Sequence, residues 1–431
     1  MKREYILTVI GSGSTYTPEL IDGVIARRDS LHFKEIRLMD VDEQKRKIVG
    51  ELCERMIRAA GLNCRVMLTE NLDQALEGAD FVVTQIRVGR LPARVLDETI
   101  PLKYDLIGQE TTGIGGFFKA LRTIPVMLHI ALRMEVLCPN AFLINFTNPS
   151  GIITQAVRDH SSIRMIGLCN MAVNMAASLA ENLGLEQEKM QLQYVGLNHL
   201  SWITGIYCEG KEYLAEAIEK GINAEPMKNI QASGFSAECL RVAGGIPSSY
   251  LEYFYNREEK LAQQKEAEKC RGEICMALEE ELLEIYSNSN LHRKPAQLEQ
   301  RGGAKYSLAA MNLIDSIVND KGEIHVVGVK NGDTLPFLHP EDVIEVACRI
   351  DSEGATPLPV EHFNNTHIEE MMQMVKAYER HTVRAAVEGS DDEALRALVI
   401  HPLIGDYRTA RECYEEMKKA HAEYLPQFFD K

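Results

Sequence analysis

Tyr5-Ile6-Leu7-Thr8-Val9-Ile10-Gly11-Ser12-Gly13-Ser14-Thr15-Tyr16-Thr17-Pro18 decides the fold of this chain. Six apolar and β-branched residues read as a strand, Gly-Ser-Gly-Ser as a tight turn, and Thr17-Pro18 as the opening of a helix. Glycines at such a turn let the backbone approach a pyrophosphate, which then sits at the positive end of the helix. The third glycine of the dinucleotide fingerprint is missing. The next strand, however, ends at Met39-Asp40-Val41-Asp42, where a carboxylate can accept hydrogen bonds from both ribose hydroxyls and would repel a 2′-phosphate, which favours NAD over NADP. The plainer reading of Asp40 is a cap for the following helix. The cofactor candidates are therefore Gly11, Ser12, Gly13, Ser14, Thr15 and Asp40.

Working outward, short β-rich runs at 5–10, 35–39, 65–69, 79–86, 141–146 and 164–168 alternate with helix-length segments. That alternation implies right-handed crossovers and a parallel sheet. Beyond Asn170 the order changes to a helix over 173–183, strands over 192–197 and 203–208, and a helix-rich region. Strands over 323–329 and 343–349 then precede amphipathic helices over 368–387, 391–399 and 407–424. The expected fold is α/β: a Rossmann-type doubly wound domain over 1–170, followed by a mixed α+β catalytic and oligomerisation domain over 171–431, an arrangement like that of lactate and malate dehydrogenases.

With 431 residues, 45% of them apolar, the chain can bury two cores. A net charge of -16 without a basic run excludes nucleic acid and anionic membrane as expected partners, because both need clustered Lys and Arg. An anionic substrate would need local positive charge. Ten cysteines without a C-x-x-C pair, and an N-terminus that enters a strand directly, point to a reduced, cytoplasmic protein. No apolar stretch reaches the ~20 residues of a membrane span.

Two segments carry the chemistry: Gly167-Leu168-Cys169-Asn170 and Gly196-Leu197-Asn198-His199-Leu200-Ser201-Trp202. Each follows a strand-type run and so presents one metal-ligand type, Cys169 or His199, at a strand end. A buried free Cys and a core His are the commoner identities of such residues. The nucleotide turn and the polar run Asn145-Phe146-Thr147-Asn148-Pro149 favour the ligand pair.

These segments, with Ile107-Gly108-Gln109-Glu110-Thr111-Thr112-Gly113, Pro247-Ser248-Ser249-Tyr250 and Arg301-Gly302-Gly303, resemble the NAD- and divalent-metal-dependent glycoside hydrolases of family four along essentially the whole chain. Within that family the sequence is most similar to the 6-phospho-β-glucosidases. The resemblance implies Cys169 and His199 as ligands of Mn2+ or another divalent metal, Tyr250 as catalytic base, and Glu110 as a carboxylate that increases the basicity of that tyrosine. It further implies Arg94 and Asn148 as substrate-binding residues and, through a looser match, Arg271. The implied reaction is oxidation of C3 by NAD, deprotonation of C2 by Tyr250, elimination of the aglycone, water addition and return of the hydride. The implied substrates are phosphorylated disaccharides or aryl glucosides, and the implied assembly is a homodimer or homotetramer.

Each assignment has a plain alternative. Tyr250 sits in an aromatic run suited to core packing, Asn148 precedes a proline as turn residues do, and Glu110, Arg94 and Arg271 could be solvated charges. Asn170 stands where α-specific members of the family carry an aspartate as general acid, and an amide donates no titratable proton, which favours β-linked substrates over the 6-phospho-α-glucosidase alternative. A plain NAD-dependent 2-hydroxyacid dehydrogenase would need a His paired with a carboxylate and an arginine, and a redox-sensing NAD-binding regulator would have no use for the metal pair.

Overall fold

The structure, a computed structural model, describes residues 3–223, 234–301 and 306–429. Gly302 and Gly303 of the arginine motif lie outside these residues. Through Gly167 the order is β1 (Tyr5–Ile10), α1 (Thr17–Ala26), β2 (Phe33–Met39), α2 (Glu43–Ala59), β3 (Arg65–Thr69), α3 (Leu72–Leu76), β4 (Phe81–Thr84), α4 (Arg90–Thr99), α5 (Gly113–Leu137), β5 (Phe142–Asn145), α6 (Ser150–His160) and β6 (Arg164–Gly167). Their six strands lie side by side in the order β3-β2-β1-β4-β5-β6, all parallel, the doubly wound order expected of a dinucleotide-binding half. β4 and β5 are buried at every residue, as strands covered by helices on both faces must be.

Beyond Asn170 come α7 (Met171–Leu183), β7 (Met190–Leu197), β8 (Leu200–Cys208), β9 (Lys211–Glu212), α8 (Leu214–Glu219), α9 (Ala237–Ala243), β10 (Ile246–Pro247), α10 (Glu252–Tyr255), α11 (Arg257–Glu266) and α12 (Arg271–Tyr286). The chain continues with α13 (Tyr306–Val318), β11 (Glu323–Lys330), β12 (Val343–Asp351), β13 (Gly354–Pro357), α14 (Thr366–Glu388), α15 (Asp391–Ile400) and α16 (Tyr407–Ala420). These later strands pair antiparallel and extend the same sheet: β11 joins β6 through Gly328 opposite Gly167. A Cβ on Gly328 would stand 3.2 Å from the Gly167 Cα, so bare backbone lets the two strand sets meet. Strand direction, not the sheet, changes near residue 170. Helices of the second half cover the first, α13 packing on α1, α12 on α4 and α14 on α5.

Three differences from the periodicity matter for the site. β8 begins at Leu200 rather than 203, because Leu197 pairs with Leu200 and leaves only Asn198 and His199 as the hairpin turn. A two-residue hairpin needs positive φ, and His199 adopts +64°. Tyr250 lies in a single 3-10 turn, Ser249–Leu251, ahead of α10. The last helix ends at Ala420, where His421 turns inward to full burial beside Asp97.

Candidate active site

A cavity of about 1050 Å³ opens at the carboxyl ends of the parallel strands β1, β2 and β4, where doubly wound folds bind ligands. Gly11, Gly13, Ser14 and Asp40 line one end. Gly11 has φ +88°, and a Cβ there would lie 2.9 Å from the Gln85 backbone, so no other residue fits. The Gly11 and Ser12 amides both donate to the Met39 carbonyl, at 2.9 and 3.0 Å, which folds the turn over the end of β2. Asp40 accepts the Gly13 N–H at 2.7 Å and the Asp42 N–H at 2.9 Å, one on each oxygen. Each oxygen keeps a lone pair for a ribose hydroxyl. The helix cap that Asp40 could have been is Asp42, which accepts the Lys45 N–H. Ser12 and Thr15 correct the sequence reading: both are buried, beneath the turn rather than on the cavity wall. The Thr15 hydroxyl is held by the Arg301 guanidinium and its carbonyl accepts the Tyr286 hydroxyl at 2.8 Å. Thr15 therefore anchors Arg301, which does line the cavity and stacks over the Tyr16 ring.

The middle of the cavity is a buried charge cluster. Glu110 is only 7% exposed and bonds to three cations: Arg87, Arg94 at 2.9 Å and Lys119 at 2.7 Å. Burial alone would raise its pKa, but these partners overcome that and hold the carboxyl well below the usual carboxylate range. Neither Glu110 nor Arg94 is a solvated charge. Arg94 also bonds Glu98 at 2.7 Å, and behind it Asp97 and Arg122 form a fully buried two-point pair. Burial and Arg87, opposed by Glu110, pull Lys119 down to about 7. The loop reaches this position because Gly108 and Gly115 lack side chains: a Cβ on Gly115 would meet the Asp97 carbonyl at 2.5 Å. A carboxylate shared by three cations is a weak acceptor for any further proton, so Glu110 can act on Tyr250 only through its field.

The far wall carries the reactive groups. The two-residue hairpin places His199, and the turn after β10 places Tyr250, with rings stacked at 3.8 Å between centroids and 13° between planes. Both line the cavity, as do Asn148 and Asn170. Asn145 supplies the bonds that shape the turn, accepting from Thr84 and Thr147 and donating to the Thr147 carbonyl, and the Asn148 amide, which lines the cavity, has no hydrogen-bond partner among the described residues. Cys169, 5% exposed, packs in the cluster that contains Tyr250. Burial, then the neighbouring Cys169, pushes the Tyr250 hydroxyl up, while a bond from Thr111 opposes the shift. Burial lowers His199 to about 3, so its imidazole is neutral and competent as a ligand.

This donor set fits a divalent cation. His199 presents a neutral ring whose buried Nδ1 has no hydrogen-bond partner among the described residues. The Cys169 thiol is held up by burial and by Glu345, a penalty on the thiolate that a cation would offset. Among the described residues no group of three or more His, Cys, Asp and Glu side chains converges. Two protein ligands leave the remaining positions for substrate and water, as an open catalytic site requires.

The sequence reading missed Arg87, Lys119 and Arg301 as wall residues. Arg301 stood in a quoted motif, but nothing local in the sequence ties Arg87 or Lys119 to Glu110. Arg271 starts α12 and donates to the carbonyls of Gln300 and Arg301 at 3.3 and 2.9 Å; like Cys169, it is not among the cavity-lining residues. It supports the Arg301 segment. Among the described residues no His–carboxylate ion pair of the kind a 2-hydroxyacid dehydrogenase would use lines the cavity: His421 and Asp97 approach at 3.1 Å, but both are fully buried and neither lines it.

Comparison with known proteins gives a consistent picture. The family 4 glycosyl hydrolase profile matches residues 6–185 and the profile of its C-terminal domain residues 194–404. A probable 6-phospho-β-glucosidase of Bacillus subtilis (strain 168) is 42% identical over 99% of this chain and 98% of that protein. The structure of the Thermotoga maritima 6-phospho-β-glucosidase with manganese, NAD+ and glucose 6-phosphate superimposes with a TM-score of 0.89 at 33% identity, covering 98% of this chain and 99% of that one. Malate dehydrogenase of Plasmodium falciparum shares the fold alone, with a TM-score of 0.55 at 12% identity over 89% of this chain and 98% of that one.

Proposed function

This chain belongs to glycosyl hydrolase family 4, and from that premise we propose that it hydrolyses 6-phospho-β-glucosides, such as cellobiose 6-phosphate, to glucose 6-phosphate and the aglycone, using NAD and Mn2+ or another divalent cation. The observation that carries the proposal is the stacked His199–Tyr250 pair beside Cys169, in the same cavity as the glycine turn and Asp40. Bound NAD supplies a reversible hydride acceptor, and the cation supplies positive charge where the sugar develops negative charge.

The chain's own residues do the rest. The 11–14 turn, bare of side chains at Gly11 and Gly13, lets the cofactor's pyrophosphate approach the helix start, the Asp40 carboxylate holds its ribose, and Cys169 with His199 hold the cation. Tyr250 removes the C2 proton; its hydroxyl, raised by burial, reacts near neutral pH only beside a positive charge. Arg87 and Arg94 face the cavity in a chain of net charge -16 and give an anionic 6-phosphosugar local complementarity through charge-assisted bonds. Asn148 offers amide donors to sugar hydroxyls. Asn170, lining the same wall, has no proton to give a leaving group, which supports β-linked over α-linked substrates. Residues 1–170 on this reading bind NAD, and 171–431 bring His199 and Tyr250 and form the contacts of a cytoplasmic homodimer or homotetramer, whose order light scattering reads.

The test is turnover of the 6-phosphates of 4-nitrophenyl β- and α-glucoside, and of the unphosphorylated β-glucoside, by protein with and without NAD and Mn2+. Hydrolysis confined to the β-phosphate and dependent on both additions is the expected result. Equal hydrolysis of the unphosphorylated glucoside, or full activity without NAD, would refute it. A 2-hydroxyacid dehydrogenase would instead accumulate NADH from lactate or malate.

A further inference from the structure

Glu345 is a buried carboxylate outside the reaction outlined above. It lies on β12 opposite Gly196 of β7, is 3% exposed, and has no ion-pair partner among the described residues. Its two oxygens are spoken for by neutral donors: one accepts the Tyr194 hydroxyl at 2.8 Å, the other the Asn198 side-chain amide at 3.1 Å. The Tyr194 oxygen lies 2.6 Å from the Ser201 hydroxyl, so Ser201 can donate to Tyr194 while Tyr194 donates to Glu345, which sets the direction of the chain. Asn198 is the first of the two hairpin-turn residues, directly before His199. Its carbonyl oxygen accepts the Gly151 amide at 3.4 Å.

We propose that Glu345 is a positioning residue for the metal site, holding the Asn198 side chain and so fixing the two-residue turn that presents His199. The Asn198 amide is anchored at both ends, its N–H on Glu345 and its oxygen on the Gly151 N–H. Without an acceptor at Glu345 the amide keeps only the Gly151 contact, and the turn that carries His199 loses one of its two side-chain anchors. Partners of this kind, beyond the ligands themselves, orient a metal site and change its affinity by about 10–100-fold. A carboxylate without an ion-pair partner is costly to bury.

The inference rests on the reading of Cys169 and His199 as metal ligands, and the experiment separates the two. Metal-free full-length protein is titrated with Mn2+, free metal is read by electron paramagnetic resonance, NAD affinity by calorimetry and folding by melting temperature. Expected are a 10–100-fold weaker Mn2+ affinity in Glu345→Leu and in Asn198→Ala, NAD affinity within twofold of the parent, and a double variant no weaker than the weaker single one. Unchanged Mn2+ affinity in Glu345→Leu, additive losses in the double variant, or Mn2+ and NAD affinities falling together would overturn the proposal. If Glu345→Leu does not fold, Asn198→Ala, at a half-buried turn, decides: unchanged Mn2+ affinity there overturns it as well. Failure of the ligand reading looks different, because Cys169→Ser would then bind Mn2+ as tightly as the parent.

Discussion

Replacing Glu110 by Gln separates two roles for this residue. The resemblance gives it the task of making Tyr250 more basic; the structure shows it holding three cations together. Breaking a buried ion pair costs about 3–5 kcal/mol because the partner stays buried and unpaired. Arg94 keeps Glu98 at 2.7 Å, Arg87 is 27% exposed and can rehydrate, and Lys119, already down to about 7, can lose its proton. The low end, about 3 kcal/mol, is therefore expected. At about 2.1 cal/mol/K of unfolding entropy per residue, 431 residues give roughly 0.9 kcal/mol/K, so the melting temperature should fall by about 3 °C. The sign with pH follows from the depressed carboxyl. Its stabilisation is present above the ordinary carboxylate pKa and is lost as pH falls through the lower folded value, so parent and variant should differ at pH 6–8 and approach each other only as pH falls well below the ordinary carboxylate range. Differential scanning calorimetry across that range, with turnover measured in parallel, is the assay. A variant with the parent's melting temperature at pH 7.5 would refute the clamp, and a loss of turnover without destabilisation would return Glu110 to a role on Tyr250 alone.

Tyr250→Phe keeps the ring that stacks on His199 and should melt within about 2 °C of the parent, yet lose at least about 10³-fold in turnover together with solvent exchange at C2 of the sugar; exchange at the parental rate would remove Tyr250 as base. Withdrawing metal with a chelator should abolish turnover, and Mn2+ should restore it better than Mg2+, since thiolate prefers the softer ion; full activity of the metal-free protein would contradict the Cys169–His199 assignment. Gly13→Ala would place a Cβ 2.9 Å from both the Asp40 carboxylate and the Lys45 Cβ, so NAD affinity measured by calorimetry should drop at least about tenfold. Burial lowers His401 to about 3, and its Nδ1 accepts the Leu403 N–H at 3.1 Å. The unfolded chain binds that proton below about pH 6.5 and the folded chain does not, so stability should fall between pH 7 and 4 by about 3 kcal/mol more in the parent than in His401→Gln, as urea denaturation at the two pH values would show.

The sequence by itself determined the scaffold and the chemistry-bearing types. Strand, glycine turn and helix follow one another within the first 26 residues, and a parallel sheet with right-handed crossovers follows from the local alternation of strand and helix patterns, which needs no knowledge of distant contacts. Cys169, His199, Tyr250 and Asn148 were legible because their segments match a family whose residues are ordered along the chain. The tertiary structure alone decided which charges are buried and which meet. Glu110 comes from a loop, Arg87 and Arg94 from the segment after β4, and Lys119 from α5; only the packing of α4 against α5 makes them one cluster, and a solvated glutamate has the same local sequence. Thr15 fell under the turn and Arg271 behind Arg301 because a motif fixes which residues are near a ligand but not which side of the backbone they face. Glu345, on a strand that joins the sheet beyond residue 340, reaches Asn198 of the His199 turn only because antiparallel strands complete the parallel sheet, a pairing set by long-range burial rather than by any neighbour in sequence.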